Sequence, residues 1–258
     1  KNIKLIALLS VVIMLTTVTV SCKREPQFSP SDTTGSVVID TSIPPSGEEL
    51  VETPETITIK EKDYALNYEI TRPQSSQADS VDVKTAQNIC MILADQIGRF
   101  PTIGTDWAKE EDPEKLEIIV GATDHPETEA LLDAMKTYGD YAVRAIGNKI
   151  ILMAFNEEGY SEAFEHLKDV FDKGLDKETK TITLSVSDIN KIGTLSDQLS
   201  RLPLYDGGRF YALYDAGRVT ADTECDEIIV KTTTVGEYDE YTERLEANGY
   251  TQYAVNNM

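Results

Sequence analysis

The chain has 258 residues, and 45 Asp and Glu set against 24 Lys and Arg give a formal charge of -21 at neutral pH. So acidic a surface repels phosphate backbones and anionic headgroups, which excludes nucleic acid as a partner and any membrane contact made through basic residues. Three cysteines are too few for a disulfide scaffold, and two histidines, His125 and His166, offer little for a metal centre.

Lys1 and Lys4 precede an uncharged run from Leu5 to Val20. The run is short for a membrane span and ends in small residues, the pattern of an export signal. An ordinary secretory peptide or an uncleaved anchor would fit that pattern too. Thr19-Val20-Ser21-Cys22 resembles the lipobox of bacterial lipoproteins, although Leu is commoner than Thr three residues before the cysteine. The resemblance implies cleavage between Ser21 and Cys22 and a diacylglycerol thioether on the Cys22 sulfur. The mature protein would then be exported and lipid-anchored to the outer face of the cell membrane, with the membrane as its first partner.

From Glu25 to Ile59 there are seven acidic residues, no Lys or Arg, and half of the ten prolines. Such a stretch buries too little apolar surface to offset its ordering entropy, so residues 22-60 are expected to form an acidic, disordered stalk.

Periodicity then predicts a folded domain over residues 61-187. Tyr64 to Thr71 alternates as a strand stopped by Pro73. Ala86, Ile89, Cys90, Leu93 and Ile97 recur at helical spacing, with Gly98 placed to end the helix. Leu116 to Val120 is a short buried strand. Pro126 suits the first turn of a second helix with Leu131, Leu132, Met135 and Tyr138 inside and Gly139 just beyond. Gly147-Asn148 is a two-residue hairpin turn within Tyr141 to Phe155, setting Val143 opposite Leu152 and Tyr141 opposite Ala154. Tyr160, Ala163, Phe164, Leu167, Val170 and Phe171 define a third helix, and Thr181 to Val186 a last strand. Helices interleaved with a mixed, largely antiparallel sheet make an α+β domain.

Residues 188-203 read as a connector with a helical turn near Leu195 and Leu199. A second α+β unit is expected over residues 204-258. Its strands run from Gly208 to Tyr214 and from Glu227 to Thr234, with Ala216-Gly217 turning between them. A helix carrying Tyr238, Tyr241 and Leu245 stops at Asn248-Gly249, and a further strand is expected from Thr251 to Val255. So small a unit makes a marginal core, so it is expected to be incomplete at Met258.

Glu117-Ile118-Ile119-Val120-Gly121-Ala122-Thr123-Asp124 followed by Glu127-Thr128, together with Asp140 to Arg144 running into Gly147 to Ile150, resembles a recurring stretch of accessory domains. Those are the noncatalytic α/β domains found ahead of hexosaminidase and α-glucuronidase barrels, and the likeness covers Tyr68 to about Val186. It implies a structural role here and active-site residues in a domain further along. Tyr205 to Gly208, the helix around Tyr238 and Tyr241, and Leu245 to Tyr250 resemble the N-terminal region of large secreted clostridial proteins. Some of those continue into a metallo-β-lactamase-fold hydrolase, but the His-x-His-x-Asp-His motif of that fold is absent here.

No residue is nominated as catalytic, metal-ligating or cofactor-binding. His125, before Pro126, is expected to cap its helix, and His166 to sit in solvent off the apolar face. Asp106, Glu110, Glu111, Asp112 and Glu114 lack the alternating ligands and central Gly of a calcium loop and read as a solvated run. Cys90 belongs to an apolar helix face. For carbohydrate or cell-wall material, the candidates are Trp107, the only Trp, and Tyr205, Tyr211 and Tyr214. The sequence therefore supports a surface-anchored noncatalytic region that presents a downstream hydrolase, or alternatively a self-contained glycan- or solute-binding lipoprotein. Oligomeric state is left open.

Overall fold

The computed structural model describes residues 5–12, 15–22, 52–74, 76, 78, 80–107, 112, 114–195, 202–207, 209–220, 223–231 and 233–250, with backbone alone for residues 5–12, 15–22, 209–220, 223–229 and 231. It divides into a unit of residues 44–202 and a smaller one of residues 1–43 with 203–258. Two strands open the smaller unit, β1 (Leu5–Val12) and β2 (Leu15–Cys22), paired antiparallel with Leu5 opposite Cys22. Residues 5–12 and 15–22, in the apolar run read as an export signal, thus have strand geometry.

The larger unit begins earlier than its periodicity suggested. β3 (Thr56–Ile59) pairs with a later strand, β12 (Thr181–Ser185), placing Ile57 opposite Leu184 and Ile59 opposite Ile182. All four are buried. Alternating isoleucines therefore recruit the end of the acidic stretch into the fold, and the expected stalk stops short of Thr56. The predicted strand from Tyr64 is also broken. Asp63 and Tyr64 adopt positive φ in the turn between β4 (Glu61–Lys62) and β5 (Ala65–Leu66), and the central strand β6 (Glu69–Arg72) starts only afterwards.

β6 leads through α1 (Val81–Ile97) to β7 (Ile103–Thr105), then β8 (Glu117–Val120), α2 (Pro126–Ala134) and the hairpin β9 (Asp140–Ile146) and β10 (Lys149–Ala154). α3 (Glu157–Gly174), the short β11 (Leu175–Asp176), β12, α4 (Val186–Ile189) and β13 (Lys191–Thr194) follow. The central sheet has the order β13-β9-β10-β8-β6-β7. Its β10, β8, β6 and β7 run parallel, while β9 is antiparallel to both neighbours. The α+β class stands. Among the described residues the sheets are mixed and mostly antiparallel, and within the central sheet the parallel pairings are gathered in one half.

The hairpin register matches the pattern read from the sequence, with Val143 opposite Leu152 and Tyr141 opposite Ala154. Gly147 has φ +55° at the first position of the turn, where a side chain would be strained. α1 and α3 bury Ala86, Ile89, Leu93, Leu167, Val170 and Phe171 against Ile70, Ile118, Val120, Ile150 and Leu152 of the sheet. Asn156 caps α3 by accepting from the Gly159 N–H at 2.8 Å. Of the residues read as a connector, 188–195 supply the end of α4 and the edge strand β13, while Leu199 of the expected helical turn lies outside the described residues. Ile189 and Leu195 are buried, and Asn190 Oδ1 accepts from the Ala145 N–H at 2.8 Å. That bond and the paired β13 backbone give residues 190–194 a fixed place that periodicity over so few residues does not reveal.

In the smaller unit β14 (Arg209–Thr220) and β15 (Thr223–Lys231) form an antiparallel ribbon, and β15 also pairs in parallel with β1. Ala216-Gly217 lies inside β14 at a register shift, so these residues bend a long strand and do not end it. α5 (Val235–Ala247) starts at a capping box in which Thr234 and Glu237 bond reciprocally. It ends at Asn248, before Gly249. The strand expected from Thr251 lies outside the described residues.

Candidate functional site

Side chains alternate across a strand, so the residues between the core positions of β6, β8 and β10 reach the opposite face of the sheet. On that face sit Thr71, Glu117 and Lys149, all at most 1% exposed. Glu117 and Lys149 are register partners at the starts of β8 and β10. The Lys149 ammonium donates to Glu127 Oε1 of α2 at 2.6 Å. Glu117 Oε1 accepts from Thr71 Oγ1 and from the Lys115 ammonium, each at 2.8 Å. Lys115 also reaches Glu69 at 2.9 Å. Thr123 and Thr128 share a hydrogen bond of 2.8 Å beneath the first turn of α2.

Burial works to raise the Glu117 pKa, but the hydrogen bonds from Lys115 and Thr71 and the nearby charges of Lys115 and His125 outweigh it and hold the carboxyl below its ordinary value. Two polar groups on this face are incompletely matched. Both ring nitrogens of His125 and Oε2 of Glu127 are buried without a hydrogen-bond partner. The His125 Nε2 lies 4.0 Å from Glu117 Oε2. His125 does occupy the N-cap of α2, but its side chain makes no capping bond. The capping role expected from its place before Pro126 is therefore replaced by burial against Glu117. His166 is not left to solvent either: it is half-buried, and its Nε2 donates to the Ile189 carbonyl at 3.0 Å. Desolvation lowers its pKa.

The carboxyl ends of the parallel strands form a second polar region. Asp106 accepts from the Gln74 N–H at 2.8 Å and from the Asp124 N–H at 3.0 Å, so one carboxylate joins the loops after β6, β7 and β8. Asp82, in the first turn of α1, accepts from the hydroxyls of Ser76 and Ser80. Gly121 has φ +93°, and a Cβ there would stand 3.2 Å from the Pro73 ring, which allows the loops after β6 and β8 to close together. Tyr160 is buried near Asp82, and desolvation followed by that negative charge pushes its hydroxyl pKa far up, so it stays protonated.

The acidic run divides among separate tasks. Besides Asp106, Asp112 accepts from the Glu114 N–H at 3.0 Å, and Glu114 accepts from the Asn148 amide at 3.2 Å. Glu110 and Glu111 lie outside the described residues. Among those described, no group of His, Cys, Asp and Glu is arranged to hold a metal ion. Cys90 is buried, as its helical phase predicts. Ser21 and Cys22 close β2, where the backbone alone is described. Trp107 is 71% exposed. Tyr205 packs edge-to-face on Tyr241 with centroids 4.9 Å apart and bonds Thr233, so packing claims it. The side chains of Tyr211 and Tyr214 lie outside the description.

Sequence reasoning named Glu117, Thr123, Glu127, Thr128 and Lys149 only as parts of familiar stretches. Their convergence on one face was hidden because a charged residue opening an apolar strand reads as a boundary. Comparison with protein-family models and with curated proteins finds no match to this chain.

Proposed function

We propose that this chain is a surface-anchored, noncatalytic region that presents an extracellular hydrolase carried downstream in the same protein. Cleavage between Ser21 and Cys22 and lipid on Cys22 supply the anchor, the acidic stretch after it the spacer, and residues 52–195 the rigid module next to the enzyme.

One observation carries the reading. The residues that give the sequence its likeness to hydrolase accessory domains are spent on holding the fold: Glu117 on Lys115 and Thr71, Glu127 on Lys149, Thr123 on Thr128. Asp140 belongs with them, accepting from the N–H groups of Lys136 and Thr137 at 2.7 and 3.0 Å and from the Thr194 hydroxyl at 2.7 Å. A carboxylate buried against an ammonium is a poor general acid or base, because burial keeps it out of hydrogen-bond reach of a substrate. These groups build a platform.

The test uses the complete reading frame expressed at the surface of its host. Deleting residues 52–195 while keeping Cys22 should leave hydrolysis of a small soluble substrate intact and reduce attack on insoluble polymer at the cell surface. Cys22→Ala should abolish incorporation of labelled fatty acid. Hydrolysis catalysed by the purified chain of residues 22–258 on its own would sink the noncatalytic assignment, and lipid labelling that persists in the Cys22→Ala variant would sink the anchor.

A further inference from the structure

In an open sheet with parallel strands, ligands bind outside the carboxyl ends where successive connections leave for opposite faces. Here that parting lies between neighbouring strands β6 and β8. α1 follows β6 and packs into the apolar core on one face, while α2 follows β8 and meets Lys149 on the other. Asp106 fixes the loops at this end through Gln74 and Asp124, and its own N–H donates to the Arg72 carbonyl at 3.1 Å. Trp107 is the next residue. Its indole thus follows directly on a residue pinned to both neighbouring loops, yet it is 71% exposed.

We propose that this end of the sheet binds an uncharged oligosaccharide, with a sugar ring stacked on Trp107 and with Gln74 and Arg72 bonding its hydroxyls. A pyranose has an apolar C–H face and a polar rim, and an indole offers the flat, electron-rich surface that such a face covers. Gln74 is exposed, and its amide carries both donors and an acceptor. Arg72 is half-buried and spends one guanidinium nitrogen on the Pro73 carbonyl at 3.2 Å, which orients the planar group while leaving further donors. The formal charge of -21 selects against sulfated or uronic acid polymers, leaving neutral glycans as the matching class. The pinned residue Asp106 before Trp107 reduces the ordering cost of binding. This site goes beyond the presenting role and is independent of it.

Trp107 is the chain's only Trp, so intrinsic fluorescence reports on this position alone. The purified chain would be titrated with tetrasaccharides of β-linked N-acetylglucosamine, xylose and glucose, with a heparin tetrasaccharide as the charged control. At least one neutral probe should give a saturable blue shift and shield the indole from acrylamide, and the charged control should do neither. Retention on the matching insoluble polysaccharide should fall about tenfold in Trp107→Ala, the scale of one lost stacking contact, with the melting temperature unchanged. Emission and quenching indifferent to all three neutral probes overturn the proposal. So does a Trp107→Ala variant that is retained as well as the parent.

Discussion

β8 and β10 show two buried environments to alternate residues. Ile118, Val120, Ile150 and Leu152 enter the apolar cluster beneath α1 and α3. Glu117 and Lys149, each one residue away, are buried as deeply on the face that α2 covers. Both faces exclude water, but they hold together differently. Apolar packing is a sum of many weak, non-directional contacts, so its loss is graded with the volume removed. A buried ion pair depends on its partner, because an orphaned charge in the interior costs far more than the intact pair contributes. The α1 and α3 face should therefore yield by degrees, and the α2 face by whole pairs.

The largest effect is expected where a pair is broken. Lys149→Met removes the ammonium from Glu127 Oε1 and leaves a carboxylate that is almost fully buried, and unfolding by urea should show a loss of about 3–5 kcal/mol. Combining it with Glu127→Leu should restore most of that loss, because replacing both partners removes the orphan. If the double variant is as unstable as the single one, the pair does not set the stability of this face.

On the apolar face, Leu93 of α1 has no exposed surface. Leu93→Ala should cost about 2–5 kcal/mol, and Ile118→Val at the sheet surface it covers about 1 kcal/mol. Comparing the two by urea denaturation checks the expected proportion between volume lost and stability lost. Equal losses would mean that this face, too, fails as a unit.

The same contrast explains what the sequence disclosed. The apolar face was legible because spacing alone identifies it: Ala86, Ile89, Leu93 and Ile97 announce a helix, and all are buried. The hairpin register was legible because Gly147 fixes the turn. The polar face was not, since Glu117, Glu127 and Lys149 are far apart in sequence and each alone resembles a solvated surface residue. His125 was legible as a helix start, but its burial depends on how α2 lies on the sheet, which no local pattern encodes. β13 was missed because Lys191 to Thr194 owes its strand geometry to pairing with β9, not to its own composition. The loop staple at Asp106 was read as part of an acidic run for the same reason: its partners are backbone groups of other loops.

Acid should separate the faces next. Glu117 has its pKa held low, so its ionised form stabilises the fold above the ordinary glutamate range, and that contribution is lost as pH falls through the lowered folded value. Glu117→Gln should cost about 1–3 kcal/mol at neutral pH, where the charge-assisted bond from Lys115 is lost. The gap between the parent and the variant should close as the pH is lowered, whereas the Leu93→Ala gap should stay constant. Thermal melts across the acid range measure both. A Glu117→Gln gap that widens in acid would reverse the sign and refute the role given to the Lys115 contact.

The smallest effect is expected at His125, and its sign is the most informative. The imidazole is buried with neither nitrogen hydrogen-bonded, and burying an unpartnered polar group costs about 1–3 kcal/mol. Leucine has a similar bulk and no such cost, so His125→Leu at pH 8 should be neutral or stabilising by up to about 1 kcal/mol after allowance for imperfect packing. Opposed to this is the approach of His125 Nε2 to Glu117 Oε2 at 4.0 Å, an ion pair only when the ring is protonated, which leucine cannot supply. A destabilised His125→Leu variant would therefore show that the Glu117 contact outweighs desolvation and that the imidazole helps hold the polar face. A stabilised one would leave Glu117, Lys115 and Thr71 sufficient to hold that face by themselves.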